Sequence, residues 1–465
     1  MEEATHPKLV RGLSLFQATS INMLDMVGIG PFAVIAFVVA AMNGPQCIIA
    51  WIFGAVLALM DGTVWAEMGA AMPEAGGSYV FLNKLYGPKK WGSLMSFLFI
   101  WQTVIQAPLV VASGSIGFAE YLKYLVPLSD IQSKMVSGGL VILLGIVLYR
   151  NIRSIGKISI LLWVILVGTI AWIILGGLTH FHTDLAFGYA PHSFDMTPAF
   201  FAGLGIASVK TIYSYLGYYN VCHLGAEIKN PGKNIPKSIF ISIAGIAVLY
   251  LLMQISVLAV LPWQSIKHLT EVDKSNYVVS VFMETIYGKF AAQFATVCIL
   301  CVAASSLFAV ILGYSRVPYA AAKDGNFFAI FGKVHPTKHF PYMSQIILCA
   351  TGFVFSLLFR LSEVIGAIIF MRILVQFVGQ AVGLIMLRAK HKDLGWPYKT
   401  WLFPLPAILS IIGWMFIFLS PLILPTKNAK EPWFILGSIG VIGIGVVLFL
   451  FRASSRKEWP YEVKR

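Results

Sequence analysis

Long apolar runs separated by short polar segments recur from residue 15 to residue 452. Each run approaches the roughly 20 residues that carry a helix across a hydrocarbon core about 30 Å thick. The pattern predicts twelve membrane-spanning helices, at about 15–41, 45–71, 91–119, 135–150, 155–178, 198–225, 237–262, 288–318, 342–360, 363–388, 403–425 and 433–452. Apolar residues fill these runs on all sides instead of marking one stripe, as lipid-embedded helices require. The longest intervening segments, near 179–197, 263–287 and 319–341, leave no room for a separate soluble domain. The expected fold is therefore an all-α membrane protein, with residues 1–465 forming one transmembrane domain. The first run is expected to be retained, because Asp25 interrupts it and no small-residue cleavage site follows.

Composition agrees: charged residues are only 12% of the chain, against roughly 25% in soluble domains. Charge placement then sets orientation. With the amino terminus inside, 24 of the 34 Lys and Arg fall in cytoplasmic segments and 8 in outer ones. That bias predicts a multi-pass protein of the inner or plasma membrane with both termini cytoplasmic. The net charge of +14 is dispersed over many loops, so it reads as a topology signal and not as a nucleic-acid surface. Cys298-x-x-Cys301 lies in an apolar helix without His or carboxylate neighbours and reads as structural. Neither a metal nor a cofactor is expected.

Two spans contain sequence that a continuous helix avoids. The first holds Gly28-Ile29-Gly30-Pro31-Phe32, where two glycines loosen the helix and a proline removes a donor. The sixth holds Ser214-Tyr215-Leu216-Gly217-Tyr218-Tyr219, crowded with hydroxyls and aromatic rings. Backbone freed at mid-bilayer is tolerated only where it lines a cavity or binds something. Spans one and six are corresponding members of two consecutive five-helix units, and matched interruptions of this kind point to a midplane substrate site. Half-helix amino ends offer N–H groups to a carboxylate, and exposed carbonyls suit an ammonium. An α-amino acid carries both charges. Beyond the second break, the polar stretch Gly225–Ile239 reads as a cytoplasmic joint between two spans.

Four segments resemble the amino acid–polyamine–organocation superfamily of permeases. Gly28-Ile29-Gly30-Pro31-Phe32 is similar to the family's unwound Gly-Ser-Gly-Ile-Phe segment. Glu67 with Pro73-Glu74-Ala75-Gly76-Gly77-Ser78-Tyr79 matches the end of the second helix and its following loop. Glu227, Asn230-Pro231 and Asn234-Ile235-Pro236 match the joint after the sixth, and Arg316 with Ala322-Lys323-Asp324-Gly325 the end of the eighth. The resemblance implies a LeuT-type 5+5 inverted repeat, about 15–178 against 198–388, with discontinuous helices 1 and 6 and peripheral helices at about 403–452. It also implies alternating-access transport of amino acids or related amines. The Gly-Pro-Phe ending and Asn151-Ile152-Arg153 resemble polyamine-uptake transporters, but the acidic residues of such carriers stand here as Gln106 and Tyr219. The mid-helix-five lysine of several exchangers is replaced by an apolar position near Leu166.

Charged residues inside spans cost roughly 2.5–3.5 kcal/mol on insertion scales, so each asks for a role or partner. Asp25, just inside the first break, is the first candidate to take and release a proton. Lys210, outside the second break, is a candidate to attract a carboxylate or to gate. Arg372 and Asp61 read as packing or gating residues; Glu67 and Glu227, by the resemblance, belong to the cytoplasmic gate. His223 reads as structural. Ser305 and Ser306 form a candidate sodium site against the span-one carbonyls.

These residues predict a secondary transporter for neutral amino acids, coupled to protons or working by exchange. The expected substrate site comprises Ile29, Gly30, Pro31, Phe32, Gln106, Ser214, Tyr215, Gly217, Tyr218 and Tyr219. The alternatives are a polyamine or cationic amino acid carrier and a non-transporting nutrient receptor on the same fold. The expected partners are the amino acid, a proton or sodium ion and the bilayer; an accessory subunit is left open.

Overall fold

The computed structural model describes residues 9–271, 277–359, 361–391, 395–423 and 431–461. The first predicted span is three helices, α1 (Leu15–Met26), α2 (Gly30–Ala33) and α3 (Ile35–Met42). Next come α4 (Ile48–Ala71), the short α5 (Ser78–Tyr86), α6 (Trp91–Leu122), α7 (Asp130–Val147) and α8 (Ile152–Thr179). After α9 (Thr183–Phe187), the sixth predicted span is divided into α10 (Pro198–Tyr215) and α11 (Asn220–His223), and α12 (Pro231–Leu258) follows. Two helices, α13 (Trp263–Glu271) and α14 (Val278–Tyr287), occupy what the hydropathy pattern reads as a loop. Then α15 (Lys289–Tyr314) continues into α16 (Arg316–Lys323) and is followed by α17 (Tyr342–Leu358). The last elements are α18 (Leu361–Arg372), α19 (Gly379–Lys390), α20 (Leu405–Ile423) and α21 (Glu431–Arg456), with a π-helical turn at Ile373–Val378 joining α18 to α19.

Among the described residues, nine helices are long and apolar enough to cross a membrane, or ten with the bent α1–α3 counted as one. The remaining two predicted spans fall short of that measure: α10 with α11 is divided, and α17 has 17 residues. Boundaries follow local chemistry. Helix α7 starts at Asp130 instead of about 135 because Ser129 and Gln132 form a reciprocal capping box. The loop expected between the last two spans lies mostly outside the described residues, as do the extreme termini.

Packing centres on the broken helices. Helix α1 lies against α12, α8 and α15, while α10 lies against α4, α3 and α18. Helix α6 crosses α15 and α18, and α4 runs along α12. Trp51, Trp65, Tyr215 and Tyr250 are fully buried where these elements meet. Helices α20 and α21 pack on the outside of this group, against α4 and α6 respectively.

One end of the bundle is held by a buried ion pair; this is the end expected to be cytoplasmic, called here the basic end. Arg316 donates from Nε to Glu227 Oε2 at 2.8 Å and from a terminal nitrogen to Oε1 at 3.0 Å. Both side chains are wholly buried. The arginine also donates to Leu312 O and Ser315 Oγ, each at 2.9 Å, so its fork is well occupied. The Glu227 carbonyl accepts from Gly12 and Leu13 N–H, tying the chain before α1 to the same point. Nearby, Glu67 accepts from Thr400 N–H at 2.8 Å and Arg388 at 3.2 Å. In the same loop, burial, with the Glu67 carboxylate adding, pushes the Tyr398 hydroxyl up to about 12, so it stays neutral.

Arg316→Gln leaves Glu227 as an unpaired buried charge, which should cost about 3–5 kcal/mol. Thermal unfolding in detergent should show a large loss for Arg316→Gln. The double replacement Arg316→Met with Glu227→Leu should recover most of it.

Candidate functional site

Helix α1 ends at Met26, and Val27 N–H still bonds Met23 O at 3.0 Å. The next three N–H groups, of Gly28, Ile29 and Gly30, have no protein acceptor among the described residues. Helix α2 then resumes with Pro31 in its first turn, where a missing N–H costs nothing. Pro31 thus opens a helix instead of interrupting one. The break precedes it, and a 58° bend follows between α2 and α3. Phe32 N–H is taken internally by Ile29 O at 3.2 Å, so it is not a free donor.

The second break is built around Gly217, whose φ of +119° suits glycine alone. A Cβ there would stand 2.7 Å from Met26 N and 2.8 Å from Asp25 C. The absence of a side chain therefore lets the two breaks touch. Three polar side chains then satisfy freed backbone. Asn22, fully buried on α1, donates to Tyr218 O and accepts from Val221 N–H, both at 2.8 Å. The Tyr250 hydroxyl of α12 lies 2.9 Å from Met26 O and 3.0 Å from Ser214 O. Ser306 of α15 donates to Asp25 O at 3.3 Å.

A cavity of about 60 Å³ opens where these elements converge. At roughly 10–15 Å³ per enclosed water, it has space for about four to six water-sized groups. Its floor is the Gly28–Gly30 segment, and Ser113 and Gly114 of α6 face it across from Ser306 and Leu307 of α15. Asp25 and Arg372 are the charged residues of the wall. Arg372 is 4% exposed and bonds the Tyr219 hydroxyl, while its Nε and second terminal nitrogen have no hydrogen-bond partner among the described residues. The rings of Tyr219 and Tyr314 lie 5.5 and 5.1 Å from its guanidinium carbon. Arg372 also stands at the start of the π-helical turn, a distortion that recurs at functional sites.

The structure brings Ile29, Gly30, Ser214, Gly217, Tyr219, Asp25, Arg372 and Ser306 to one cavity. Other residues singled out by sequence lie elsewhere. Pro31 and Phe32 are buried behind the wall. Gln106 is buried two helical turns along α6 from Ser113, which is on the wall in its place. Tyr215 packs edge-on against Trp51. Tyr218 donates to Asp61, which also accepts from Ser410 at 2.9 Å, so this pair joins the second break to α20. Lys210 Nζ lies 5.9 Å from the centre of the Phe37 ring and does not line the cavity. Ser305 donates to Val302 O on its own helix at 2.7 Å. Glu67 and Glu227 belong to the basic end.

Asn22, Ser113, Tyr250 and Tyr314 escaped sequence reasoning, whereas Tyr213 belongs to the Tyr-rich segment 213–219 expected to close over the substrate side chain. Ser113 and Tyr213 are joined by a 3.1 Å bond across the cavity rim. Helical spacing carries part of this information: once Ser306 is placed, Ala303, Leu307 and Val310 share its face. Among the described residues, no group of three or more His, Cys, Asp and Glu side chains is placed to hold a metal.

Two discontinuous helices meeting at a small cavity with a few polar groups in its wall, inside an all-helical bundle of spanning length, define the class as a membrane transporter fold. The profile of the amino acid permease family matches residues 13–447. The chain belongs to that family, which fits a LeuT-type fold. It is 25% identical over 426 residues to the serine/threonine exchanger of Bacillus subtilis, covering 90% of this chain and 93% of the relative. It is 24% identical over 465 residues to the aspartate–proton symporter of the same organism, covering 95% and 85%. The human cystine/glutamate transporter is 25% identical over 423 residues, covering 89% and 81%.

A Cβ on Gly30 would lie 3.2 Å from both Ser214 Oγ and the Tyr213 ring. Gly30→Leu should therefore fill the cavity and abolish saturable substrate binding while leaving expression largely intact. Equilibrium binding on the purified variant checks this, and normal affinity would place the site elsewhere.

Proposed function

We propose that this permease carries small neutral amino acids across the inner or plasma membrane by alternating access. The observation that supports this most is the cavity itself, with three free N–H groups on its floor and one charge of each sign on its wall. The substrate carboxylate binds the N–H groups of Gly28, Ile29 and Gly30, with Arg372 donors within the same cavity. The ammonium faces carbonyls of the breaks and Asp25. A zwitterion leaves the site neutral overall, whereas a diamine would add two cations to Arg372 with Asp25 as the one carboxylate of the wall. The small volume favours a short side chain.

The pair contacts support the inverted repeat of about 15–178 against 198–388. Helix α1 packs on α12 and α10 on α4; α8 packs on α15 and α18 on α6. These contacts exchange when every span is advanced by five. The Arg316–Glu227 clamp then closes the cytoplasmic side, both termini lie on that side, and release requires the clamp to open.

Asp25 is the coupling residue in this reading, because it lies on the cavity wall beside the first break. Protonation would leave Arg372 uncompensated and an anionic substrate favoured, so a relative named for aspartate–proton symport is consistent with the same wall. Ser306, on the Asp25 carbonyl, is the residue through which sodium would act instead.

Two measurements test this. In proteoliposomes, Asp25→Asn should lose accumulation driven by a pH gradient and retain exchange; undiminished accumulation removes Asp25 from coupling. In competition binding, alanine or serine should outcompete arginine and putrescine by at least about tenfold, or about 1.4 kcal/mol. Tight putrescine binding would support the amine-carrier reading, and binding without flux would support a receptor.

A further inference from the structure

A second hollow, far larger than the substrate cavity, is a groove of about 1020 Å³ on the outer surface, bounded by α7, α17 and the start of α8. Its long walls are apolar, carried by Ile142 and Ile146 of α7 and by Ile346, Ala350 and Phe353 of α17. Ile142, Ile146 and Ile346 are 52%, 68% and 45% exposed, so they face whatever surrounds the bundle. One end of the groove is chemically different. There Arg150 and Lys338 stand beside Asn151 and Ser154 at the amino end of α8, and the lining contains neither Asp nor Glu.

The two cations are differently held. Arg150 is exposed and takes part in no ion pair among the described residues. Lys338 donates to Tyr149 O at 3.0 Å and lies 4.3 Å from the centre of the Tyr149 ring, which fixes its position and leaves two ammonium donors. The start of a 28-residue helix adds N–H groups and a positive dipole end at the same place. A spanning helix face that is apolar along its length and basic at one end matches an acyl chain with a phosphate above it. Basic pockets between spanning helices take anionic headgroups on this chemistry.

We propose that this groove binds one anionic phospholipid, its acyl chain along α7 and α17 and its phosphate between Arg150 and Lys338. A protein partner is disfavoured by the distribution of the lining, which is apolar along the two helices and carries its two cations together at one end, as a single amphipathic lipid requires. The lipid belongs to the leaflet at the basic end. It is distinct from the amino acid site, because no residue lines both hollows.

Native mass spectrometry of the full chain, released from nanodiscs of phosphatidylcholine doped with phosphatidylglycerol, tests this. The unmodified protein should retain one phosphatidylglycerol in preference to phosphatidylcholine. Arg150→Gln with Lys338→Gln should lower that retention by roughly tenfold or more, since both charges that face the phosphate are removed. Arg150→Lys with Lys338→Arg should retain it, which separates lost charge from lost folding. Thermal stability in detergent should rise with added phosphatidylglycerol and not with inorganic phosphate, showing that the chain and headgroup act together. Equal retention by the double Gln variant, no preference over phosphatidylcholine, or stabilisation by phosphate alone would each overturn the proposal. So would a dimer that persists in place of bound lipid and dissociates in the double Gln variant.

Discussion

A helix interrupted inside a hydrocarbon layer leaves N–H and C=O groups that no solvent can satisfy. Every other feature of this protein's centre follows from how those groups are treated. Asn22 serves one acceptor and one donor of the second break, Tyr250 reaches a carbonyl from each break, and Ser306 takes the carbonyl of Asp25. Such bonds contribute about 0.5–1.5 kcal/mol net each, but leaving a buried group unpaired costs about 1–3. The N–H groups of Gly28, Ile29 and Gly30 are left out of this arrangement. These three are the donors that the proposed carboxylate site would use.

The same economy explains the two ends of the molecule. Around the cavity, contacts are made by single hydroxyls and aromatic rings, which can exchange partners at low cost. At the basic end, Arg316 and Glu227 are locked by paired, short, dry bonds. A buried pair of this kind gives little net stability against apolar substitutes, yet separating it is expensive. In the proposed cycle it would serve as a barrier that opens only when α16 and the joint after α11, which carry Arg316 and Glu227, move apart. The chain before α1 and the joint after α11 are both fastened to Glu227, so they are the parts that such movement would displace.

Much of this was legible in the chain. The apolar runs located the spanning elements in order, because lipid leaves backbone few other options. Gly28, Gly30 and Gly217 marked the breaks, because their lack of a side chain permits the approach. What sequence could not resolve was direction. Arg372 reads as a packing or gating residue until α18 is seen turning it onto Tyr219 beside Asp25, and Gln106 reads as a wall residue although the wall lies two helical turns further along much the same face of α6, at Ser113. Tyr215 and Tyr218 sit in the right segment and point away, one to Trp51 and one to Asp61. Neighbouring residues on an irregular segment share no helical period, so spacing gives no guide. Asn22 was missed for another reason: an amide in an apolar helix carries no charge to draw notice.

Tyr250 holds a last consequence. Its hydroxyl has one proton and two carbonyls within reach, Met26 O and Ser214 O, belonging to the two broken helices. Only one can be bonded at any instant. If the half-helices shift against α12, the proton can pass its allegiance from one to the other by a rotation of the O–H. The count of hydrogen bonds then stays constant while the geometry changes. In such a shift the dry interior would lose no hydrogen bond at this point, and the ring that braces both breaks in this conformation would not hold them together.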